Sequence, residues 1–176
     1  VVNGRHSAGR DGQGALPEVA RRLIGGLVQH GGALMAFGNR VEGSFVRLTQ
    51  GKEAPTSMAW GEFDRHALVR LPIVAATPDG RQVSAPTIEF RLPDGSAHPH
   101  LLLAGVTQAM LSTRAGAELD ALLERTASAR VRQSPEGAPR LPRARAEIAT
   151  LLADSRATLE AGGVFPPGML ELLAEG

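Results

Sequence analysis

A glutamate and an arginine two residues apart, Glu89 and Arg91, are the first candidates for chemistry in this sequence. Apolar and polar residues alternate strictly from Thr87 to Leu92, which is the period of a β-strand. Alternate side chains of a strand share a face, so Glu89 and Arg91 lie on the same polar face. Carboxylates suit Mg²⁺ or Mn²⁺, and guanidinium groups suit carboxylate and phosphate. The strand alone favours a solvated wall with a weak ion pair; the alternative is the wall of a metal and anion site.

Three further polar clusters precede this strand, at residues 44–47, 51–55 and 65–70. Residues 51–55 are polar and include Gly and Pro, which predicts a protruding loop. Arg65 and Arg70 are five residues apart, so a regular strand would place them on opposite faces. We therefore expect Arg65 in the loop before the strand that carries Arg70.

Composition limits the class of protein. The chain has 176 residues, 43% hydrophobic and 21% charged, values that fit one globular domain with a substantial core. A net charge of +1, no Tyr and a single Trp argue against a nucleic-acid binder. No apolar run approaches membrane-spanning length, and the absence of cysteine permits a reducing cytoplasm. The first residue is Val rather than Met, which is compatible with part of a longer polypeptide.

Apolar residues recur at helical spacing in several segments. They predict helices over residues 17–37, 99–113, 117–125 and 142–160, and a last short helix after Pro166 and Pro167. Residues 66–75 and 86–92 are predicted strands, 44–48 and 57–60 short extended pieces, 77–80 a turn, 1–15 a loop and 132–142 a surface excursion. Four glycines in the first helix predict close packing against a neighbour. The expected fold is α/β (α+β), a single domain over 1–176 with helices packed on one side of a small antiparallel sheet.

The order and spacing of the four clusters resemble the C-terminal part of the glutamine synthetase catalytic domain. The resemblance runs from Leu16 to Ala115 and returns at residues 159–170. Residues 24–30 resemble the family's I-G/A-G-(V/L)-(I/L)-K-H helix, and residues 161–165 its late G-G-V-F segment. Residues 39–48 resemble N-P-T-x-N-S-Y-K-R-L, 51–55 the G-Y-E-A-P flap, 64–72 N-R-S-A-x-(I/V)-R-(I/V)-P, and 88–94 I-E-F-R-x-P-D.

The resemblance implies a role for each cluster. Arg47 would hold the carboxylate of the substrate glutamate. Glu53 would close over the active site as the flap residue and help take a proton from ammonia. Arg65 and Arg70 would face the ATP phosphates and the transferring phosphoryl group, which makes Arg65 a catalytic as well as a nucleotide-binding residue. The last pair would be Glu89 as a metal ligand and Arg91 as the contact to the glutamyl phosphate.

By the same resemblance, the activity is ATP-dependent joining of glutamate to ammonia or another amine through a γ-glutamyl phosphate, with Mg²⁺ or Mn²⁺. The resemblance also implies a cytoplasmic homo-oligomer, and the charge and hydropathy of the chain predict neither a nucleic-acid nor a membrane partner. The family's N-terminal β-grasp-like domain and the first half of its catalytic domain, with most metal ligands, have no counterpart here. We therefore expect the 176-residue chain alone to be inactive, and a full-length protein to carry the activity.

Several motif positions depart from the family. The changed positions are Gly43, Phe45, Val46, Lys52, Asp64, His66 and Thr87. These departures leave the acceptor amine open, and they support an alternative: a non-catalytic relative with an assembly or regulatory role. Three histidines outside the motifs are interpreted as ordinary residues: His6 in a loop, and His98 and His100 in the first turn of a helix.

Overall fold

The computed structural model describes residues 15–49, 53–133 and 139–175, with eight α-helices and three strands in those ranges. The helices are α1 Glu18–Gly38, α2 Glu42–Thr49, α3 Pro99–Ser112, α4 Ala117–Thr126, α5 Ser128–Gln133, α6 Arg145–Asp154, α7 Arg156–Leu159 and α8 Met169–Glu175. The strands are β1 Ser57–Glu62, β2 Ala67–Leu71 and β3 Glu89–Phe90. The predicted α+β class is confirmed. His6, Gly51 and Lys52, with most of the predicted N-terminal loop, lie outside the described residues.

Helix α1 forms the centre of the core. Its length matches the predicted helix over 17–37, and it packs against α3, α4, α6 and the sheet. A Cβ added at Gly26 would lie 2.3 Å from the carbonyl oxygen of Ala109 in α3. The main chains of α1 and α3 are therefore in direct contact, as the glycines of this helix predict. At the end of α1, Phe37 stacks on Phe165 with ring centroids 5.1 Å apart.

The sheet is mixed, in the order β1-β2-β3. Strands β2 and β3 pair antiparallel, as expected, with Val69 opposite Phe90 and Arg70 opposite Glu89. Strands β1 and β2 pair parallel, which differs from a wholly antiparallel sheet. Parallel neighbours normally need a crossover of a dozen or more residues, whereas only residues 63–66 join these strands. A connection this short favours an antiparallel pair, whereas β1 and β2 are parallel.

Several predicted elements need correction. Residues 44–48, predicted as extended, belong to α2, in which Ser44, Phe45 and Leu48 are buried at helical spacing. The predicted strands over 66–75 and 86–92 shorten to β2 and β3. The predicted helix over 142–160 begins at Arg145 and breaks at Ser155. None of the described helices has the length and apolar character needed to cross a membrane.

Candidate active site

Glu89 lies between two arginines. Because Arg70 and Glu89 are opposite each other across an antiparallel pair, their side chains share a face. Arg70 Nε donates a hydrogen bond to Glu89 Oε2 at 2.6 Å, and Arg91 Nε donates one to Glu89 Oε1 at 3.3 Å. Three of the expected site residues therefore meet at the edge of one sheet. Strand alternation predicted the pair of Glu89 with Arg91 but not the pair of Glu89 with Arg70.

Arg91 is largely buried, with 9% of its side chain exposed, less than Arg70 and Glu89 beside it. Its main-chain N–H donates to Leu68 O at 3.0 Å, and its Nη2 donates to Glu53 O at 2.7 Å. Its Nη1 is buried and has no hydrogen-bond partner among the described residues. A buried, unpaired guanidinium nitrogen is costly unless an acceptor reaches it, so this atom points to an anion.

Arg47 binds the main chain at the end of β3. Its Nη1 donates to Leu92 O and its Nη2 to Arg91 O, both at 3.0 Å. Helix α2 makes this possible because it turns the side chain toward the end of β3. In this structure the guanidinium of Arg47 fixes the main chain that carries Arg91.

Glu53 and Arg65 form an ion pair at the surface. Arg65 Nη1 donates to Glu53 Oε1, and both side chains are more than half exposed. Glu53 has a φ of 55°, in the left-handed region that costs a non-glycine residue energy. Arg65 lies in the turn before β2, as expected from its spacing to Arg70. An exposed pair of this kind contributes little energy, so a stronger anion can displace Glu53 from Arg65.

A hydrogen-bonded network supports the segment after β3. Asn39 Nδ2 donates to Leu92 O at 3.0 Å and to Asp94 Oδ2 at 3.2 Å, and Ser96 Oγ lies 2.6 Å from Asp94 Oδ1. Burial acts to raise the pKa of Asp94, but hydrogen bonds from Ser44, Ser96 and Asn39 outweigh it and lower that pKa. Asp94 is therefore held as a carboxylate that anchors the chain next to Arg91. In the sequence, Asp94 was noted as the last residue of the I-E-F-R-x-P-D motif, with no role of its own.

A second group of polar residues lies beside Arg65 and was missed in the sequence. Asp64 Oδ1 accepts a hydrogen bond from His66 N at 2.9 Å, and Arg132 of α5 forms an ion pair with Asp64 Oδ2. These three residues border a cavity of about 490 Å³ next to β1. The segment containing Arg132 was expected to be a surface excursion, so nothing in the local pattern indicated this contact.

The metal expected at Glu89 can be tested against the donors present. Within the described residues, no three His, Asp or Glu side chains come together as a potential metal site. Both oxygens of Glu89 are engaged by arginines, and Mg²⁺ or Mn²⁺ needs several oxygen ligands. The donor set of this part of the chain does not by itself fit either ion. His98 caps α3 by accepting from Leu101 N at 3.5 Å, and His100 lies in its first turn, as expected.

The electrostatics of the cluster favour an anionic ligand. The four arginines outnumber the two glutamates in this group, which consists of Arg47, Glu53, Arg65, Arg70, Glu89 and Arg91. Arginine forks bind two oxygens of a carboxylate or phosphate at once. All six residues lie within one continuous set of contacts: Arg65 to Glu53, Glu53 to Arg91, Arg91 to Glu89, Glu89 to Arg70, and Arg47 to the main chain of Arg91.

Comparison with known proteins identifies the family of this chain. The family model for the glutamine synthetase catalytic domain matches residues 5–172. A glutamine synthetase from Streptomyces filamentosus is 34% identical over 168 residues, which cover 91% of this chain and 33% of that protein. The fold is similar to a crystal structure of a novel glutamine synthase homolog, with a TM-score of 0.68, 22% identity, and coverage of 96% of this chain and 36% of that one. It is also similar to a Plasmodium falciparum glutamine synthetase, with a TM-score of 0.67, 20% identity, and coverage of 91% and 38%. The chain spans about a third of the length of the curated relatives it matches.

Proposed function

The chain belongs to the glutamine synthetase family, within its catalytic domain, and on this premise we propose that it forms part of an ATP-dependent ligase. The full-length protein would join glutamate to ammonia or another amine through a γ-glutamyl phosphate, with ATP as the phosphoryl donor. We propose that it acts in the cytoplasm as a homo-oligomer. The chain would be the C-terminal part of the catalytic domain, folded as one unit over residues 1–176.

The observation that carries this proposal is the unpaired Nη1 of Arg91 inside a cluster of three other arginines. A carboxylate becomes an amide only after activation, and activation brings a triphosphate and a carboxylate together despite their like charge. Fixed guanidinium groups reduce that repulsion and stabilise the charge that develops during phosphoryl transfer. A ligand phosphate or acyl phosphate would give Arg91 Nη1 the acceptor it lacks.

The other residues take roles that their contacts permit. Arg65 and Arg70 would bind the phosphates, each exchanging a glutamate partner for phosphate oxygens. Displacement of Glu53 from Arg65 would free its carboxylate to act as the base that takes a proton from the attacking amine. Arg47 would bind the carboxylate of the substrate glutamate, if its guanidinium is released from the main chain of Arg91 and Leu92.

The metal role of Glu89 remains a proposal that depends on ligands outside the described residues. A divalent ion bound there would neutralise phosphate charge. Glu89 would supply one carboxylate, and its release from Arg70 would accompany phosphate binding by that arginine.

The alternative is a non-catalytic relative with an assembly or regulatory role. The changed motif residues favour it, among them Asp64 and His66 on either side of Arg65. Two observations favour the ligase. All six site residues lie in one continuous set of contacts, and a purely structural domain has no need of an unpaired buried arginine nitrogen.

The experiment that separates the two functions is glutamate-dependent ADP release by the protein at its full natural length, with ammonia and with a panel of primary amines and polyamines. The ligase predicts turnover with at least one acceptor, and an R91Q variant that folds but turns over about 10²- to 10³-fold more slowly. Absence of turnover with every acceptor would favour the non-catalytic alternative. The 176-residue chain by itself is expected to show no turnover, and γ-glutamyl transfer by it would contradict that expectation.

A further inference from the structure

Asp64 controls the main chain around Arg65. Its Oδ1 accepts the N–H of His66 at 2.9 Å, a side-chain-to-main-chain bond across two residues that encloses Arg65 in a turn. Only 11% of the Asp64 side chain is exposed. The turn is also tied at both ends, because Phe63 N donates to Leu71 O and Thr56 N donates to His66 O, each at 3.1 Å. The direction in which Arg65 points therefore depends on where Asp64 is held.

Arg132 is the group that balances the charge of Asp64. Its Nη1 pairs with Asp64 Oδ2, the oxygen that does not bind His66. Helix α5, which carries Arg132, is itself fixed against β1: a Cβ added at Gly61 would lie 2.1 Å from Ser128 Oγ. The pair thus joins the Arg65 turn to a helix packed on the sheet. A largely buried carboxylate that loses its arginine partner carries a substantial desolvation cost, and the other basic group near Asp64, His66 Nδ1 at 3.8 Å from Oδ1, is charged only when protonated.

The pair explains one of the departures from the family motif. The motif has Asn at the position of Asp64, and an Asn side chain offers the same acceptor to His66 N without a charge. With Asn there, no cation would be needed on α5. In this chain the carboxylate requires one, and Arg132 supplies it.

We propose that Asp64 and Arg132 are positioning residues for Arg65, with Asp64 setting the turn and Arg132 holding Asp64 in place. The proposal rests on the proposed function, in which Arg65 binds the phosphates of ATP. Neither residue touches the substrate in this scheme. Their effect is on the orientation of Arg65 and hence on ATP affinity.

The test compares R132Q with R130Q in the full-length protein. Arg130 lies on the same short helix, is 61% exposed against 64% for Arg132, and pairs with Glu124, which is 73% exposed. We expect R132Q to raise the KM for ATP roughly three- to tenfold, the usual size of a coupling between contacting residues, with little change in the KM for glutamate. R130Q should change neither, because its partner stays solvated. Equal effects of the two variants on ATP would overturn the proposal.

A second test asks whether D64N rescues the ATP affinity that R132Q loses. Because Asn needs no counter-charge, R132Q should cost much less ATP affinity in a D64N background than in the wild type. A cost that is the same in both backgrounds would show that Arg132 acts on something other than Asp64. D64A removes the acceptor for His66 N and should weaken ATP binding whether or not Arg132 is present.

The two proposals fail in different ways. If R65Q binds ATP as tightly as the wild type, the proposed function of Arg65 is wrong. Hydrogen exchange at the His66 amide still reports the turn directly: it should be protected in the wild type, exchange faster in R132Q, and regain protection in D64N/R132Q. Identical exchange in all three would overturn the positioning role of Asp64 and Arg132, whatever the result with ATP.

Discussion

Arg91 Nη2 donates a hydrogen bond to the main-chain carbonyl oxygen of Glu53 at 2.7 Å, so the arginine at the end of β3 holds the first described residue of the flap. The same guanidinium contacts Glu89 and keeps Nη1 free for a ligand. One side chain therefore connects the predicted base, the predicted metal ligand and the predicted acyl phosphate.

Replacing Arg91 tests that connection. R91Q removes the charge and leaves no group that can reach both Glu53 and Glu89, so we expect kcat of the full-length protein to fall by about 10²- to 10³-fold, the cost of losing one transition-state donor. The measurement is glutamate-dependent ADP release, with circular dichroism as the check on folding. An R91Q variant that keeps near-wild-type kcat would show that Arg91 serves the fold alone.

Replacement of Arg47 should lower the stability of the fold, which can be measured without an activity assay. R47Q leaves the carbonyl oxygens of Arg91 and Leu92 without their charged donor, so we expect the free energy of unfolding to fall by about 1–3 kcal/mol. Urea unfolding measures it, with R114Q as the control because Arg114 is exposed at the end of α3. If the two variants unfold alike, the hydrogen bonds of Arg47 to the main chain contribute nothing measurable.

Replacement by alanine should change stability in opposite directions at two glycines, Gly26 at the contact between α1 and α3 and Gly43 in α2. G26A would drive a methyl group into the main chain of Ala109, and we expect destabilisation of at least about 1–3 kcal/mol. In α2, G43A meets no atom within 4 Å and should stabilise by up to about 1 kcal/mol through helix propensity. Thermal and urea unfolding of the two variants check both signs, and a harmless G26A would mean that the helices can move apart.

His30 makes stability depend on pH. It is buried at 8% exposure, its Nδ1 lies 3.0 Å from Ser155 Oγ, and burial lowers its pKa from the ordinary value of 6.5. The unfolded chain therefore binds the proton more strongly than the folded one, and the free energy of unfolding should fall as the pH drops below about 6.5. It should be level above that pH. Comparison of wild type and H30Q by urea unfolding at pH 5.5 and 7.5 measures the effect, which should shrink in H30Q but not in H100Q.

The sequence was most informative where structure is local. Apolar residues at helical spacing predicted α1, α3 and α4 nearly to the residue, and strand alternation predicted that Glu89 and Arg91 share a face. Alternation could not show that Arg70 lies opposite Glu89, because the register between strands is set by tertiary packing.

Two contacts of the site could not be predicted from the sequence because they also depend on tertiary packing. Residues 44–48 contain too few positions to distinguish a helix from a strand, so the direction of Arg47 was not predictable. The pairing of Arg132 with Asp64 joins residues 68 positions apart across the fold, and no local pattern carries such information.

The tight crossing of α1 on α3 has a mechanical consequence for the site. Gly38 O, at the end of α1, accepts from Asp94 N, and Phe37 O accepts from His98 N, so the segment after Arg91 is attached to two helices that cannot slide past each other. The side chain of Glu53 is held only by an exposed ion pair with Arg65 among the described residues, and the carbonyl oxygen of Glu53 accepts from Arg91. We expect the segment after Arg91 to be stiff, so that the largest ligand-driven motion is that of the exposed side chain of Glu53.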